Sequence, residues 1–240
     1  MTHNDQSIAT VSKYNSTLLA IAIAMVGCAA ETTGSTEAAL DTANGLHVET
    51  FDDGSRGGWT IGSIRGDTVP RAGGNPGPYL RDSGQQTPAP APWTRMRPFT
   101  GDYAGDGVSA VAIDLVLHQW VLPPLGHPNI HAWMWNDAET PGDPSDDFAV
   151  IRDTGALAPD ADGVWQSYWV DVPAESKTLP EGWVAYHAGT LVTGPEADEV
   201  WKLVMADVNE LGWSYGGPFT PNRFSLNESG IDNAVIVRRR

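Results

Sequence analysis

Short runs of alternating apolar and polar residues, separated by turn residues, dominate the chain after residue 45. The clearest run is Val108–Leu117, whose apolar side chains at every second position share one face of a predicted strand: Val111, Ile113, Leu115 and Leu117. Further runs, each bounded by Pro, Gly or Asp, are Leu46–Phe51, Gly58–Ile64, Tyr79–Arg81, Asn129–Trp135, Phe148–Ile151, Val164–Val172 and Gly230–Val237. The pattern predicts a domain built mainly from strands.

One segment has a helical pattern. Glu196–Ala206 places Val200, Leu203 and Val204 at helical spacing. Acidic residues stand in its first turn, where the helix dipole favours them. About eight short strands with one minor helix are typical of a jelly-roll sandwich. We therefore predict an all-β fold, a single antiparallel jelly-roll β-sandwich with one short helix, spanning residues 46–240.

The beginning of the chain has a different pattern. The apolar run Leu18–Val26 is too short to span a bilayer and has the length of a signal-peptide hydrophobic region. Together with Gly27 and Cys28 it resembles the lipobox of bacterial lipoproteins, although Met25 stands where leucine is usual. In that family the cysteine becomes the lipidated first residue. An ordinary secretory signal, cleaved near Ala29 or Ala30, is the alternative.

These features predict three regions: a signal peptide over 1–27, a flexible linker over 28–45 and the sandwich over 46–240. The linker is small, polar and aperiodic. Cys28 is the single cysteine, so the domain has no intrachain disulfide. Ala29 rather than aspartate follows it, which by the sorting rule of Gram-negative lipoproteins favours the outer membrane. We expect an exported outer-membrane or cell-surface lipoprotein, with a periplasmic or secreted protein as the alternative.

The composition and net charge limit the kinds of partner that the protein can bind. The 26 Gly and 18 Pro suit short strands joined by turns, and 41% hydrophobic residues suffice for a core. A net charge of −16 repels phosphate backbones and anionic lipids, which argues against nucleic-acid binding. Acid-rich loops are compatible with Ca²⁺, which binds oxygen ligands.

Several short motifs follow one another in the order of a known family. They are Phe51–Gly54 with Gly58-Trp59, Gly74–Leu80, Phe99–Asp102, Ile113–Leu115 and Gly230–Asn233. The series resembles the laminin B (laminin IV type A) domain, and its closing strand is shared by many carbohydrate-binding jelly rolls. Only Pro88–Pro98 and the acidic loop Asp143–Asp147 have no match. The resemblance implies a galactose-binding-like sandwich used for adhesion or glycan contact, without catalysis.

Sandwiches of this type often hold a structural Ca²⁺ between the first and last strands. The resemblance thus implies Asp53 and Asp232 as metal ligands. Solvated turn aspartates are the alternative, because Asp-Gly pairs favour turns on their own account.

The Asn129–Trp135 run is apolar on both predicted faces. One face carries His131, Trp133 and Trp135, and the other carries Ile130, Ala132 and Met134. Either the strand is covered on both sides, or one face is a platform on which a sugar ring stacks. We predict a glycan-binding surface from His131, Trp133 and Trp135, with Trp120 on the end of an adjacent strand.

Catalytic patterns are weaker. Gly212–Gly216 matches the nucleophile elbow of esterases, but prolines follow where a helix is needed and no histidine lies downstream of His187, so a turn is predicted. The acids of Glu196–Glu199 fit a first helical turn better than a glycosidase pair. His127 and His131 are separated by Pro128, which argues against a zinc site. We expect a non-enzymatic binding protein, with a glycosidase- or esterase-type hydrolase and a structural envelope lipoprotein as alternatives.

Overall fold

The computed structural model describes residues 45–61, 66–82, 91–120, 128–216 and 227–239. The predicted signal peptide, Cys28 and the linker up to residue 44 lie outside the described residues. Within the described ranges, no helix is both long and apolar enough to cross a membrane.

The described chain folds into two antiparallel sheets and one helix. The strands are β1 (Leu46–Glu49), β2 (Trp59–Thr60), β3 (Asp67–Thr68), β4 (Leu80–Asp82), β5 (Trp93–Thr94), β6 (Val108–Trp120), β7 (Asn129–Asn136), β8 (Phe148–Leu157), β9 (Gln166–Asp171), β10 (Trp183–His187), β11 (Thr190–Val192), β12 (Glu210–Tyr215) and β13 (Asn227–Arg238), and the helix is α1 (Pro195–Ala206). The six-stranded sheet has the order β3-β4-β13-β6-β9, with β1 also paired to β13. The seven-stranded sheet has the order β11-β10-β8-β7-β12-β5-β2.

The core lies between the two sheets. Alternation along each strand sends one set of side chains inward, for example Ile113 and Leu115 from β6 and Met134 from β7. Trp201 of α1 joins this core and meets Trp183 of β10 edge to face, with ring centroids 5.0 Å apart. The jelly-roll β-sandwich predicted from the strand pattern is therefore confirmed.

The helix is confirmed, but its buried face was predicted only in part. Gly194 has a positive φ of 62° and precedes Pro195 at the first helical position, where the missing N–H costs nothing. The buried residues are Ala197, Val200, Trp201, Val204 and Met205. Leu203, although it lies at the same helical spacing, is 45% exposed.

The segment around Gly212 corrects a second expectation. It is neither an esterase elbow nor a turn, because residues 210–215 form β12 between β7 and β5. Leu211, Trp213 and Tyr215 point into the core. This strict alternation was present in the sequence and is the signal for a strand.

Candidate functional site

The outer face of the seven-stranded sheet carries the aromatic residues of β7. Since Ile130, Ala132 and Met134 belong to the core, alternation places His131, Trp133 and Trp135 on the opposite face. The indole rings of Trp133 and Trp135 meet edge to face, with centroids 6.4 Å apart and planes at 77°.

A cavity of about 400 Å³ opens on this face. We call it the indole cavity. Its lining residues come from β7, β12, the segment after β5 and the loop between β7 and β8: Arg95, Trp133, Trp135, Asp137, Pro141, Gly142, Pro144, Asp147 and Glu210. Its volume is within the range of small-molecule sites, and it combines apolar rings with a few polar groups.

Trp133 is held against β12 by a glycine. Gly212 is its direct cross-strand partner, and a Cβ atom at Gly212 would lie 2.2 Å from Cζ2 of Trp133. The indole therefore packs directly against the backbone of Gly212, and Trp133 is only 7% exposed. Its Nε1 has no hydrogen-bond partner within the described part of the protein. A buried donor left unpaired in this way is costly, by about 1–3 kcal/mol.

An ion pair forms one side of the indole cavity. Arg95 Nε donates to Glu210 Oε2 at 2.6 Å, and the Arg95 guanidinium lies 5.4 Å from the centroid of the Trp93 ring. Burial raises the pKa of Glu210, while the hydrogen bond and charge of Arg95 oppose that rise. The only guanidinium lining the cavity is therefore already engaged.

The loop between β7 and β8 supplies a second carboxylate. The indole of Trp135 donates a hydrogen bond to Asp147. Partial burial, followed by the charge of Asp146, raises the pKa of Asp147. Its Oδ1 atom is buried and has no partner among the described residues. Two residues that line the cavity thus each carry a buried polar atom without a partner in the described part of the chain, an acceptor on Asp147 and a donor on Trp133.

His131 lies further along β7 and does not line the indole cavity. Its Nε2 is 3.7 Å from Oδ2 of Asp153, and its Nδ1 is 3.2 Å from the Asn129 carbonyl oxygen. Ser214 is its cross-strand neighbour, but the hydroxyl donates to the Gly216 carbonyl at 2.6 Å. A serine–histidine hydrogen bond of the esterase type is therefore not formed here.

Trp120 ends β6, which is a strand of the six-stranded sheet. The neighbours of β7 are β8 and β12 in the other sheet. The expectation that Trp120 lies on a strand adjacent to Trp133 and Trp135 is wrong. Sequence order suggested adjacency, but the chain changes sheet between β6 and β7.

The two aspartates predicted to bind calcium lie in different environments. Asp53 is exposed, and its carboxylate oxygens accept hydrogen bonds from the amide and hydroxyl of Ser55 at 2.7 and 3.0 Å. Asp232 is fully buried. Asp52 and Asp114, rather than Asp53, are the acids whose charges act on Asp232.

Asp232 belongs to a polar network on β13. Its oxygens accept from the backbone amides of Asn75 and Asn233 at 2.6 and 2.8 Å. Oδ2 of neighbouring Asp114 accepts from the side-chain amides of the same two asparagines, at 3.0 and 2.8 Å. Burial raises the pKa of Asp232 to about 6. Within the described ranges no group of three or more acidic, histidine or cysteine side chains is placed to hold a metal, and a calcium ion at Asp53 and Asp232 stays a prediction.

Sequence reasoning missed the polar residues of the indole cavity. Arg95 and Glu210 belong to segments that were not predicted as strands. The signal was the two segments without a match in the family that the motifs resemble, Pro88–Pro98 and the acidic loop Asp143–Asp147. Arg95 of the first segment and Asp147 of the second line the cavity.

The chain is similar in fold to two solved structures. A family 11 carbohydrate-binding module from Clostridium thermocellum, in complex with a β-1,3-1,4-mixed-linked tetrasaccharide, is 13% identical, with 82% of this chain and 98% of that chain covered and a TM-score of 0.43. An exo-β-agarase is 13% identical, with 81% of this chain and 25% of that chain covered and a TM-score of 0.42. No protein-family model and no curated protein matches the chain, so the laminin B resemblance stays a prediction from short motifs.

Proposed function

We propose that this protein is a non-catalytic glycan-binding domain and that the indole cavity receives the sugar. One observation carries the proposal. Two indole rings and several polar side chains line one cavity, and among these residues the buried Nε1 of Trp133 and the buried Oδ1 of Asp147 have no hydrogen-bond partner within the described part of the chain.

A sugar ring matches this combination. Its C–H face is apolar and stacks on an indole, where each Å² of apolar area removed from water contributes about 25 cal/mol. Each of its hydroxyl groups both donates and accepts a hydrogen bond, as a hydroxyl in a protein does. A sugar hydroxyl that reaches Nε1 of Trp133 or Oδ1 of Asp147 would satisfy that group. Binding would then remove part of the cost of the buried polar atoms that the free protein leaves unpaired.

We further propose a role in adhesion, which depends on the predicted signal peptide, Cys28 and linker outside the described residues. A lipid on Cys28 and a flexible linker would hold the sandwich at the cell surface. Glycan binding by a tethered domain serves adhesion to an extracellular polymer. This adhesion role fits the laminin B resemblance of the motifs.

Substitution of the indoles tests the proposal. Trp135→Ala removes the half-buried ring of the cavity, and we expect binding on a glycan array to fall while the thermal melt stays close to wild type. Trp133→Ala should lose binding and also lower the melting temperature, because that ring is buried. Trp169→Ala is the matched control, since Trp169 is 57% exposed on β9 of the other sheet. Unchanged glycan binding by Trp135→Ala and Trp133→Ala would contradict the proposal.

A glycoside hydrolase is the second candidate, favoured by the two cavity carboxylates, Asp147 and Glu210, whose pKa values burial raises. Glycosidases use a carboxyl group with a raised pKa as the acid. The ion pair with Arg95 and the hydrogen bond from Trp135 engage both groups, which favours binding over catalysis. Incubation of bound oligosaccharides with wild type and Glu210→Gln separates the two. Chain cleavage that Glu210→Gln abolishes would establish the hydrolase.

A further inference from the structure

We propose that the indole cavity selects glycans that carry protonated amino groups, that is, chains of amino sugars whose nitrogen is not acetylated. This inference rests on the proposed function and specifies its ligand class.

The charges lining the cavity favour a cation. Asp137, Asp147 and Glu210 contribute three carboxylates, and Arg95 contributes the single guanidinium. Because Arg95 is paired with Glu210, Asp137 and Asp147 have no cationic side chain as a partner within the described part of the chain. The protein as a whole carries −16. An anionic sugar would meet repulsion both in the cavity and from the rest of the molecule.

The carboxylates specify where an ammonium group gains most. An ammonium has three donors and no acceptor, so it can donate to the carboxylate of Asp147, whose Oδ1 has no partner among the described residues, and to other carboxylates that line the cavity. Such a bond is charge-assisted and about twice as strong as a neutral one. Indole faces also attract cations, and Trp133 and Trp135 lie in the same cavity.

The raised pKa of Asp147 agrees with this assignment. Burial and the charges of Asp146, Asp137 and Asp143 make its ionised form costly in the free protein. A bound cation offsets both causes. An acetylated nitrogen carries no charge and donates a single N–H, so it keeps the stacking but loses the ionic contact.

A comparison of three oligosaccharides of equal length and the same β-1,4 linkage tests the effect of the nitrogen substituent on affinity. They differ only in the substituent at C2: a free amine, an acetylated amine or a hydroxyl. Calorimetric titration at mildly acidic pH should show the free amine binding at least about tenfold tighter than the other two, an advantage of one charge-assisted contact. The advantage should shrink as salt is added.

Variants that each remove one negative charge distinguish the effect of the cavity carboxylates on affinity from the effect of the overall surface charge. Asp147→Asn should reduce the ratio of amine to hydroxyl affinity, and Asp137→Asn provides a second variant if Asp147→Asn unfolds. Glu175→Gln removes the same charge from an exposed residue that does not line the cavity, and it should leave the ratio unchanged.

Three results would contradict the proposals, at two levels. If the hydroxyl or acetylated chain binds as tightly as the amine and Trp135→Ala abolishes that binding, glycan binding stands and the amine selectivity is wrong. An amine advantage that persists in both aspartate variants also overturns the selectivity. If none of the three chains binds, the proposed function itself is contradicted for this linkage class and the inference falls with it.

Discussion

Gly212→Ala tests the position of Trp133 without replacing any side chain that lines the indole cavity. Gly212 has no positive φ, so alanine fits the extended backbone of β12 without strain. The added methyl carbon would lie 2.2 Å from Cζ2 and 2.4 Å from Cε2 of Trp133. The substitution therefore acts on the indole ring alone.

The size of the effect follows from that distance. Carbon atoms pack at about 3.5–4.0 Å, so the ring of Trp133 must move by more than about 1 Å. Overpacking of this kind costs about 1–3 kcal/mol of the free energy of unfolding. A displaced ring also loses its contact with a stacked sugar, and a loss of about 1–3 kcal/mol corresponds to about 5- to 150-fold weaker binding.

Urea unfolding and calorimetric titration of the same preparations measure both effects. Ser214→Ala is the control, because Ser214 lies on the same face of β12 two residues away and its hydroxyl bonds only to the Gly216 carbonyl. We expect Ser214→Ala to lose about 1 kcal/mol of stability and to retain binding. Wild-type stability together with wild-type binding in Gly212→Ala would refute the position assigned to Trp133, and with it the cavity built around that ring.

Three further outcomes are expected. Because burial raises the pKa of Asp232 to about 6 from 3.8, its contribution to stability is complete below about pH 4 and is lost as the pH rises through about 6. The unfolding free energy of wild type relative to Asp232→Asn should thus fall by about 2–3 kcal/mol between these limits, and a pH-independent difference would disprove the shift. If Asp53 and Asp232 bind Ca²⁺ as the motifs imply, a chelator should lower the melting temperature, by the equivalent of about 2.7 kcal/mol at a hundredfold excess over Kd; superimposed melts would remove the site. Cys28→Ser should release the protein from membranes, and a wild type that is already soluble would contradict lipidation.

The strands and the helix were predictable where the sequence is locally periodic. β6, β7, β13 and α1 all stand where alternation or helical spacing placed them. β12 was missed because the glycines at 212 and 216 suggested a turn, although Leu211, Trp213 and Tyr215 alternate. The exposure of Leu203 could not be predicted, because helical spacing alone does not say which side of α1 faces the core.

The indole cavity was predictable only in its aromatic part. The shared face of Trp133 and Trp135 could be predicted from the alternation along β7. Whether Arg95 and Glu210 lie beside them depends on the order of strands in the sheet. That order is set by long-range pairing, which no local pattern contains. The same reason explains the error on Trp120, whose strand is a neighbour in sequence and belongs to the opposite sheet.

The position of β13 has a consequence for how the protein folds. This strand, close to the end of the chain, lies between β4 and β6 and also pairs with β1, from Leu46↔Val237 to Glu49↔Ala234. The six-stranded sheet therefore cannot close until residues 46–238 are all available. Pairings between such distant residues make β-sandwiches slow folders, on the order of milliseconds to seconds. A nascent or clipped chain that lacks β13 would leave β1 and β4 exposed as open strand edges, which are sites of aggregation.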